Sequence, residues 1–204
     1  THAGAYDISF MRCLPNLILA APSDESECRL LLNTAYAHPG PAAVRYPRGT
    51  GTGASIDQPS ATVAIGKAIC RREGSTAAIL NFGARLSAAL QAADSLSAEL
   101  GVTIAVYDMR WVKPLDAELI LQLSKQVKLL ISLEEHAIAG GAGAAVSELL
   151  ASENVLIPML HLGIRDAYIE HGSPAEMLAD CGLDDVGIYR AIYDRLRVIG
   201  AINT

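Results

Sequence analysis

The stretch Leu17-Ile18-Leu19-Ala20-Ala21-Pro22-Ser23-Asp24-Glu25 decides the fold of this chain. Its apolar run leads into a proline, a pattern typical of a short buried strand that ends at a turn. Ser23 and Asp24 then supply oxygen atoms suited to a helix N-cap, and Glu27 stands where the carboxylate of a capping box belongs. The stretch therefore predicts a strand that leads directly into a helix.

The residues on either side extend this pattern into an α/β fold. The helix should end before Pro39-Gly40-Pro41, and residues 42–46 indicate a second strand, parallel to the first through a right-handed crossover. Glu73-Gly74 indicates a hairpin between two later strands. The repeated alternation predicts a mostly parallel sheet with helices on both faces. Strands are predicted at 65–71, 77–82, 103–107, 129–133 and 155–160, and helices at 85–100, 116–126, 144–152, 174–180 and 186–196.

A segment without periodicity divides the chain. Residues 49–60 are rich in Gly, Thr, Ser and Pro, a composition typical of a linker. We therefore predict two domains, residues 1–57 and residues 58–204.

Composition and charge exclude several classes of protein. The chain has 204 residues, of which 51% are hydrophobic and 19% charged, enough apolar surface for a large core. A net charge of −6 leaves no electrostatic footprint for nucleic acid or an anionic membrane. No apolar run approaches the roughly 20 residues of a membrane helix, and no signal peptide opens the chain. We expect a cytoplasmic protein with neither nucleic acid nor membrane as a partner.

The cysteines and histidines do not form a metal-binding pattern. The chain has four cysteines, far apart and without a Cys-x-x-Cys pair, and its five histidines show no His-x-x-x-His spacing. We expect reduced thiols and no metal ligand within this chain.

Two short motifs carry candidate chemistry. Thr1-His2-Ala3-Gly4-Ala5-Tyr6-Asp7 places an imidazole beside small residues that let a ligand approach closely. Ala43-Val44-Arg45-Tyr46-Pro47-Arg48-Gly49 places guanidinium groups after a short strand, where they could bind a phosphate through two oxygens. On residue type alone, an exposed terminal histidine is the more common interpretation of His2, and a surface arginine in a turn is the default for Arg48. Spacing does not choose between Arg45 and Arg48.

Together with Pro22-Ser23-Asp24-Glu25, these motifs resemble one family, the 1-deoxy-D-xylulose-5-phosphate synthases, thiamine-diphosphate enzymes related to transketolase. The resemblance extends from Thr1 to about Leu196. It implies that the chain is the C-terminal portion of a longer enzyme: the end of a pyrimidine-binding domain followed by a transketolase C-terminal-type domain. Ala3 departs from the glutamine that is usual after the histidine.

The resemblance also implies an activity and its site. Such transferases condense pyruvate with D-glyceraldehyde 3-phosphate, release carbon dioxide and form 1-deoxy-D-xylulose 5-phosphate, a precursor of isoprenoids, thiamine and pyridoxal. It assigns His2 to catalysis, Arg48 to the acceptor phosphate and Arg45 to a supporting role. Thiamine diphosphate and Mg²⁺ would be bound mainly by an upstream segment of the same enzyme, so no cofactor or metal ligand is assigned here. The family is homodimeric.

A glycine-rich segment in the second part invites a nucleotide-binding interpretation. Glu134-Glu135-His136 precedes Gly140-Gly141-Ala142-Gly143 between a predicted strand and helix. The spacing fails, because Val146 stands where the fingerprint needs Gly or Ala, and the acidic pair would repel a pyrophosphate. We predict a tight strand-to-helix turn packed against a neighbour, and the resemblance assigns it no cofactor. It also assigns His136 no chemical consequence.

Two other functions fit parts of the pattern. One is the β subunit of a 2-oxo-acid dehydrogenase E1 component, which shares several motifs of the second part. The other is a non-catalytic dimerisation module. The resemblance favours the synthases because a phosphorylated acceptor needs a phosphate-binding group such as Arg48, whereas an acyl-lipoyl acceptor does not.

Overall fold

A computed structural model describes residues 4–56 and 61–202 of the chain. The strands are β1 (Ile18–Ala20), β2 (Ala42–Val44), β3 (Ile69–Arg72), β4 (Ala77–Phe82), β5 (Ile104–Asp108), β6 (Trp111–Lys113), β7 (Leu129–Ala137) and β8 (Met159–Ile164). The helices are α1 (Asp7–Met11), α2 (Glu25–Ala37), α3 (Leu86–Leu100), α4 (Ala117–Leu123), α5 (Ala142–Ser152), α6 (Pro174–Asp180) and α7 (Asp185–Val198).

The larger sheet has five strands in the order β3-β5-β4-β7-β8. Strands β5, β4, β7 and β8 are parallel, and β3 adds an antiparallel edge to β5. All six residues of β4 are buried, as expected for a central strand covered on both faces.

Alternate residues of β4 point into two separate apolar layers. Ala77 and Ile79 pack with helices α3 and α7, whereas Ala78 and Leu80 pack with α4 and α5 on the other face. This period of two is the geometry of a strand between two helical layers. The predicted α/β class, with a mostly parallel sheet and helices on both faces, is confirmed.

The smaller sheet joins the first part of the chain to the second. Its three strands run in the order β2-β1-β6. The parallel pairing of β1 with β2 confirms the predicted strand–helix–strand unit. Strand β6, in a segment where we predicted no strand, pairs antiparallel with β1, with Ala20 opposite Trp111. The first part of the chain is thus hydrogen-bonded to the second.

The predicted hairpin between 65–71 and 77–82 is wrong. Strand β3 pairs with β5, and β5 lies between β3 and β4. Strand β4 is buried along its whole length, and the parallel strands β5 and β7 pair with its two edges. No edge of β4 is therefore open to β3, which lies at the margin of the sheet.

The predicted capping box at α2 is half right. The side chain of Asp24 accepts a 2.8 Å hydrogen bond from the Glu27 N–H, as an N-cap should. The Glu27 carboxylate does not return to the cap. It binds the guanidinium of Arg110 instead, and the Ser23 hydroxyl donates to Asp108 rather than capping the helix. Charged partners outside the helix offer stronger hydrogen bonds than the backbone does.

Among the residues that the structure describes, none of the helices combines the length and apolarity needed to cross a bilayer.

Candidate functional site

Two residues, His2 and Arg48, are predicted to act directly in the reaction. His2 falls outside the described residues. Arg48 lies in the loop after β2 and is exposed. Within residues 4–56 and 61–202, its side chain makes no hydrogen bond or ion pair. Its guanidinium is therefore available to an anion from solvent.

Arg45, by contrast, is held by two partners within the protein. Its Nε lies 3.0 and 2.9 Å from the two carboxylate oxygens of Asp7, and its Nη2 donates a 2.6 Å bond to the Glu135 carbonyl. The Arg45 and Asp7 side chains are 17% and 23% exposed, so this pair is only partly solvated. One guanidinium joins α1, the end of β2 and the end of β7, which leaves it few donors for a ligand.

The segment around α1 sits on the turn between β7 and α5. The Ala5 carbonyl accepts a 2.8 Å bond from the Ala137 N–H, and the Ser9 hydroxyl donates 2.8 Å to the Ala139 carbonyl. Arg12 donates 2.7 Å to the Gly140 carbonyl. These bonds attach the α1 segment, which follows the predicted catalytic His2 in the sequence, to the second part of the chain.

Glu134 occupies the helix N-terminus that the glycine-rich segment forms. Its carboxylate accepts bonds of 2.7 Å from the Ala142 N–H and 2.9 Å from the Gly143 N–H. A Cβ at Gly141 would lie 2.6 Å from the Ala137 carbonyl oxygen, so the turn requires glycine. Burial raises the pKa of Glu134 to about 7, against the opposing effect of the two N–H donors. The prediction of a tight strand-to-helix turn packed against a neighbour is confirmed.

His136 has a structural setting that the sequence did not reveal. The ring is fully buried. Nδ1 lies 2.7 Å from the Ala137 carbonyl, and Nε2 lies 3.4 Å from the Ser9 N–H and 3.8 Å from the Asp7 carboxylate. Burial lowers the pKa of His136, which favours the neutral ring. The neutral imidazole is thus an internal link between the α1 segment and the β7–α5 turn.

A second buried network fastens α2 to the larger sheet. Arg110 binds both oxygens of Glu27 at 2.7 and 2.8 Å. Arg71 donates to Glu27 at 2.9 Å and to Asp108 at 3.0 Å, and Ser23 donates 2.6 Å to Asp108. Burial raises the pKa of the Asp108 carboxyl. The sequence signal for this network was weak, because its members are far apart along the chain.

Both networks lie at the carboxyl ends of the parallel strands. Asp108 ends β5 and Glu134 lies late in β7, with β4 between them. This edge is where open α/β sheets commonly bind ligands. At this edge Asp108 accepts a bond from the Ser23 hydroxyl, and the His136 ring lies against the Ser9 N–H, so the edge contacts the first part of the chain.

The residues that the structure describes do not fit a metal site. In residues 4–56 and 61–202, no cluster of His, Cys, Asp or Glu side chains could hold a metal ion. Mg²⁺ bound to a diphosphate takes carboxylate ligands, and the buried Glu27, Asp108 and Glu134 are already used by arginines or backbone N–H groups.

Two protein-family models match this chain. Residues 66–188 match the model of the transketolase C-terminal domain, and residues 1–52 match that of the transketolase pyrimidine-binding domain. The chain belongs to the transketolase family. The predicted pairing of the end of a pyrimidine-binding domain with a transketolase C-terminal domain is confirmed, whereas the boundary between 57 and 58 stays a prediction.

Curated relatives narrow the resemblance within the transketolase family. The chain is 55% identical over 199 residues to the 1-deoxy-D-xylulose-5-phosphate synthase of Thiobacillus denitrificans, covering 98% of this chain and 31% of the relative. It is 56% identical over 195 residues to that of Bordetella parapertussis, covering 96% and 30%. The predicted resemblance to the C-terminal portion of these synthases is confirmed. The chain spans about a third of the length of the curated relatives it matches.

Solved structures agree on the fold. A structure described as a split-gene transketolase, an inactive β4 tetramer, matches with a TM-score of 0.79 and 30% identity, covering 94% of this chain and 61% of that one. The transketolase of Leishmania mexicana matches with a TM-score of 0.66 at 17% identity, covering 97% and 28%. The second likeness concerns the fold alone.

Proposed function

We propose that this chain is the C-terminal portion of a 1-deoxy-D-xylulose-5-phosphate synthase. That transferase condenses pyruvate with D-glyceraldehyde 3-phosphate and releases carbon dioxide, and its product serves isoprenoid, thiamine and pyridoxal synthesis. The observation that carries the proposal is the identity of 55–56% to curated synthases over 96–98% of the chain. Identity at this level, spread over nearly the whole chain, is expected of proteins that share a reaction as well as a fold.

Arg48 is the proposed ligand of the acceptor phosphate. An exposed guanidinium without a partner in the described residues can give two parallel N–H···O bonds to a phosphate. Arg45 supports it, since its donors go to Asp7 and the Glu135 carbonyl. Phosphate binding by Arg48 would hold the aldehyde of the acceptor in place and so lower the entropic cost of reaction.

His2 is the proposed catalytic residue. An imidazole can donate or accept a proton near neutral pH, which suits a group that contacts the donor-derived part of the reacting substrate. The segment that follows it is seated on the β7–α5 turn through Ala5 and Ser9. A firmly seated segment is what a positioned catalytic group requires.

The cofactors of the proposed reaction are thiamine diphosphate and Mg²⁺, bound mainly by an upstream segment of the same enzyme. The cofactor supplies the carbon–carbon bond chemistry, whereas this chain binds and orients substrate. We also propose a cytoplasmic homodimer. A structure related at 30% identity is described as a tetramer of β chains without activity, which supports a need for a further segment or chain.

The test is product formation by the complete enzyme. With pyruvate, glyceraldehyde 3-phosphate, thiamine diphosphate and Mg²⁺, mass spectrometry should detect 1-deoxy-D-xylulose 5-phosphate. The 204-residue chain alone should bind no thiamine diphosphate by calorimetry and form no product. Turnover with a lipoyl acceptor in place of the aldehyde would instead identify a 2-oxo-acid dehydrogenase component, and an inactive dimeric complete protein would identify a dimerisation module.

A further inference from the structure

Glu25, the last residue of the Pro22–Glu25 motif, makes contacts that neither the capping of α2 nor the Asp108 network explains. It is the first residue of α2, and its side chain points to the loop that follows Arg48. Its carboxylate accepts bonds from the Gly53 N–H at 2.8 Å, the Thr52 hydroxyl at 3.0 Å and the Ala54 N–H at 3.4 Å. A single carboxylate thus gathers three consecutive residues of the loop.

The glycines of the loop are needed for this wrapping. A Cβ built on Gly51 would overlap the Glu25 side chain, and Gly53 has φ +80°, a conformation that residues with a Cβ rarely adopt. One turn further along α2, Arg29 donates to the Ile56 carbonyl. The exit of the loop is therefore fixed to the first turns of α2.

The entrance of the same loop is fixed by a different contact. Arg45, at the end of β2, is held by Asp7 and by the Glu135 carbonyl. Between these two anchors lies the exposed Arg48-Gly49 pair, in a stretch with no regular secondary structure. A loop tied at both ends presents the side chain at its centre with less conformational freedom than a free loop does.

We propose that Glu25 is a positioning residue for Arg48, acting through residues 52–54 of the loop. This inference rests on the proposed function, because it concerns the acceptor site assigned to Arg48. Because Glu25 lies at the surface, its carboxylate loses little hydration when it accepts these three bonds. Its contribution is therefore to hold the loop rather than to stabilise the core. The hydrogen bond from Gly53 and the neighbouring donors lower the pKa of Glu25 to about 2, so the carboxylate keeps this role across the neutral range.

The test compares Glu25→Gln with wild type in the complete enzyme. The amide retains one acceptor oxygen but turns an NH₂ group toward loop donors, so the loop should loosen. We expect the KM for glyceraldehyde 3-phosphate to rise about 5- to 10-fold, with the KM for pyruvate and the melting temperature unchanged. Removing a negative charge near an anion site would by itself lower that KM. The sign of the change therefore separates positioning from simple electrostatics.

A second readout does not depend on activity. Trypsin cleaves after arginine, and the bond after the exposed Arg48 becomes more accessible when the loop opens. Glu25→Gln should be cut there several-fold faster than wild type. Glu176→Gln is the matched control, because Glu176 is an exposed carboxylate that accepts two bonds from Ser173, at 2.8 and 2.7 Å, far from the loop in sequence. It should match wild type in both assays.

A double variant tests whether Glu25 acts through Arg48. If Glu25 acts through Arg48, Glu25→Gln should add nothing to the KM of an Arg48→Ala enzyme. An acceptor KM in Glu25→Gln equal to wild type, while Arg48→Ala raises it, overturns the positioning role and leaves the proposed function intact. An unchanged KM in Arg48→Ala overturns the assignment of the phosphate to Arg48, and the positioning role with it.

Discussion

The carboxylate of Glu134 accepts a 2.7 Å hydrogen bond from the backbone N–H of Ala142, the first residue of α5. A buried acidic side chain therefore sits at the positive end of a helix, where related folds place a phosphate. Burial outweighs the two N–H donors and raises the pKa of this carboxyl to about 7. The same turn accepts hydrogen bonds from Ser9 and Arg12, and the charges of Arg12 and Arg45 favour the ionised form of Glu134.

The raised pKa predicts a pH-dependent stability. The folded protein binds the Glu134 proton more tightly than the unfolded chain, whose pKa is near 4.5. The contribution to folding is therefore complete below pH 4.5 and is lost as the pH rises through 7. Relative to Glu134→Gln, wild type should lose about 1.4 kcal/mol of unfolding free energy per pH unit in this window, roughly 3 kcal/mol in total. Urea denaturation of both proteins at several pH values measures this difference.

The difference between the two proteins is the quantity of interest, because His136 titrates in the opposite sense. Burial lowers its pKa, so its contribution is present at high pH and is lost as the pH falls. Arg12 and Arg45 also face Glu134 and favour its charged form. Parallel pH profiles for wild type and Glu134→Gln would show that Glu134 is ionised in the folded protein throughout.

Gly143 should tolerate no side chain. A Cβ there would lie 2.5 Å from Nδ1 of His161, which is already 2.7 Å from the Ser132 hydroxyl. Gly143→Ala should lower the unfolding free energy by about 1–3 kcal/mol despite the better helix propensity of alanine, because packed side chains must move. Ser132→Ala should recover part of the loss. Gly4→Ala, where a Cβ meets nothing within 4 Å, is the control for thermal denaturation.

The local parts of this structure were predictable from sequence, and the reason is visible in α2. Asp24 caps the helix through a bond to the residue three positions later, a contact that sequence spacing encodes directly. Strands β4, β5 and β7 followed from buried apolar runs bounded by turns, whereas the strands predicted at 65–71 and 155–160 begin four residues before β3 and β8 do. The turn before α5 could be predicted because the glycine spacing does not match the nucleotide-binding fingerprint and the acidic pair would repel a pyrophosphate.

The missed features depend on residues far apart in the sequence. Strand β6 forms because β1 offers it an edge, so nothing local predicts it. Glu27 looked like a capping carboxylate, but Arg110 competes for it from a distant turn. The hairpin failed because β5 pairs with both β3 and β4, a choice made by burial of the whole sheet. The position of Arg48 relative to α2 depended on bonds from Glu25 to a loop without periodicity.

The buried pair of Glu27 and Arg110 should be far more important to stability than its surface counterparts. Arg110→Met leaves a carboxylate that is 7% exposed with Arg71 alone, so we expect a loss of about 3–5 kcal/mol. The exposed pair of Arg72 and Asp94 supplies the control, since the Asp94 side chain is 67% exposed and Asp94→Asn should cost less than about 1 kcal/mol. Equal losses in urea denaturation would mean that solvent reaches Glu27 in the folded protein.

The contrast between Arg48 and Arg45 separates a ligand from its support. Arg48 is exposed and without a partner in the described residues, so Arg48→Ala in the complete enzyme should leave the melting temperature unchanged. If it binds the acceptor phosphate, losing a charge-assisted contact of about 1.5–3 kcal/mol should reduce kcat/KM for glyceraldehyde 3-phosphate by roughly 10- to 150-fold. Arg48→Lys should recover only part, because an ammonium keeps the charge without the two-pronged geometry.

Arg45→Ala should give the converse result. Its bonds to Asp7 and the Glu135 carbonyl hold α1, β2 and β7 together, so its loss should lower the unfolding free energy by about 1–3 kcal/mol. A non-phosphorylated aldehyde is the substrate that distinguishes the two arginines. Its slow reaction should be indifferent to Arg48→Ala, since no phosphate contact is lost, but should decline in Arg45→Ala along with the physiological reaction. If both aldehydes suffer equally in Arg48→Ala, the phosphate is bound elsewhere and Arg48 is a structural residue of the loop.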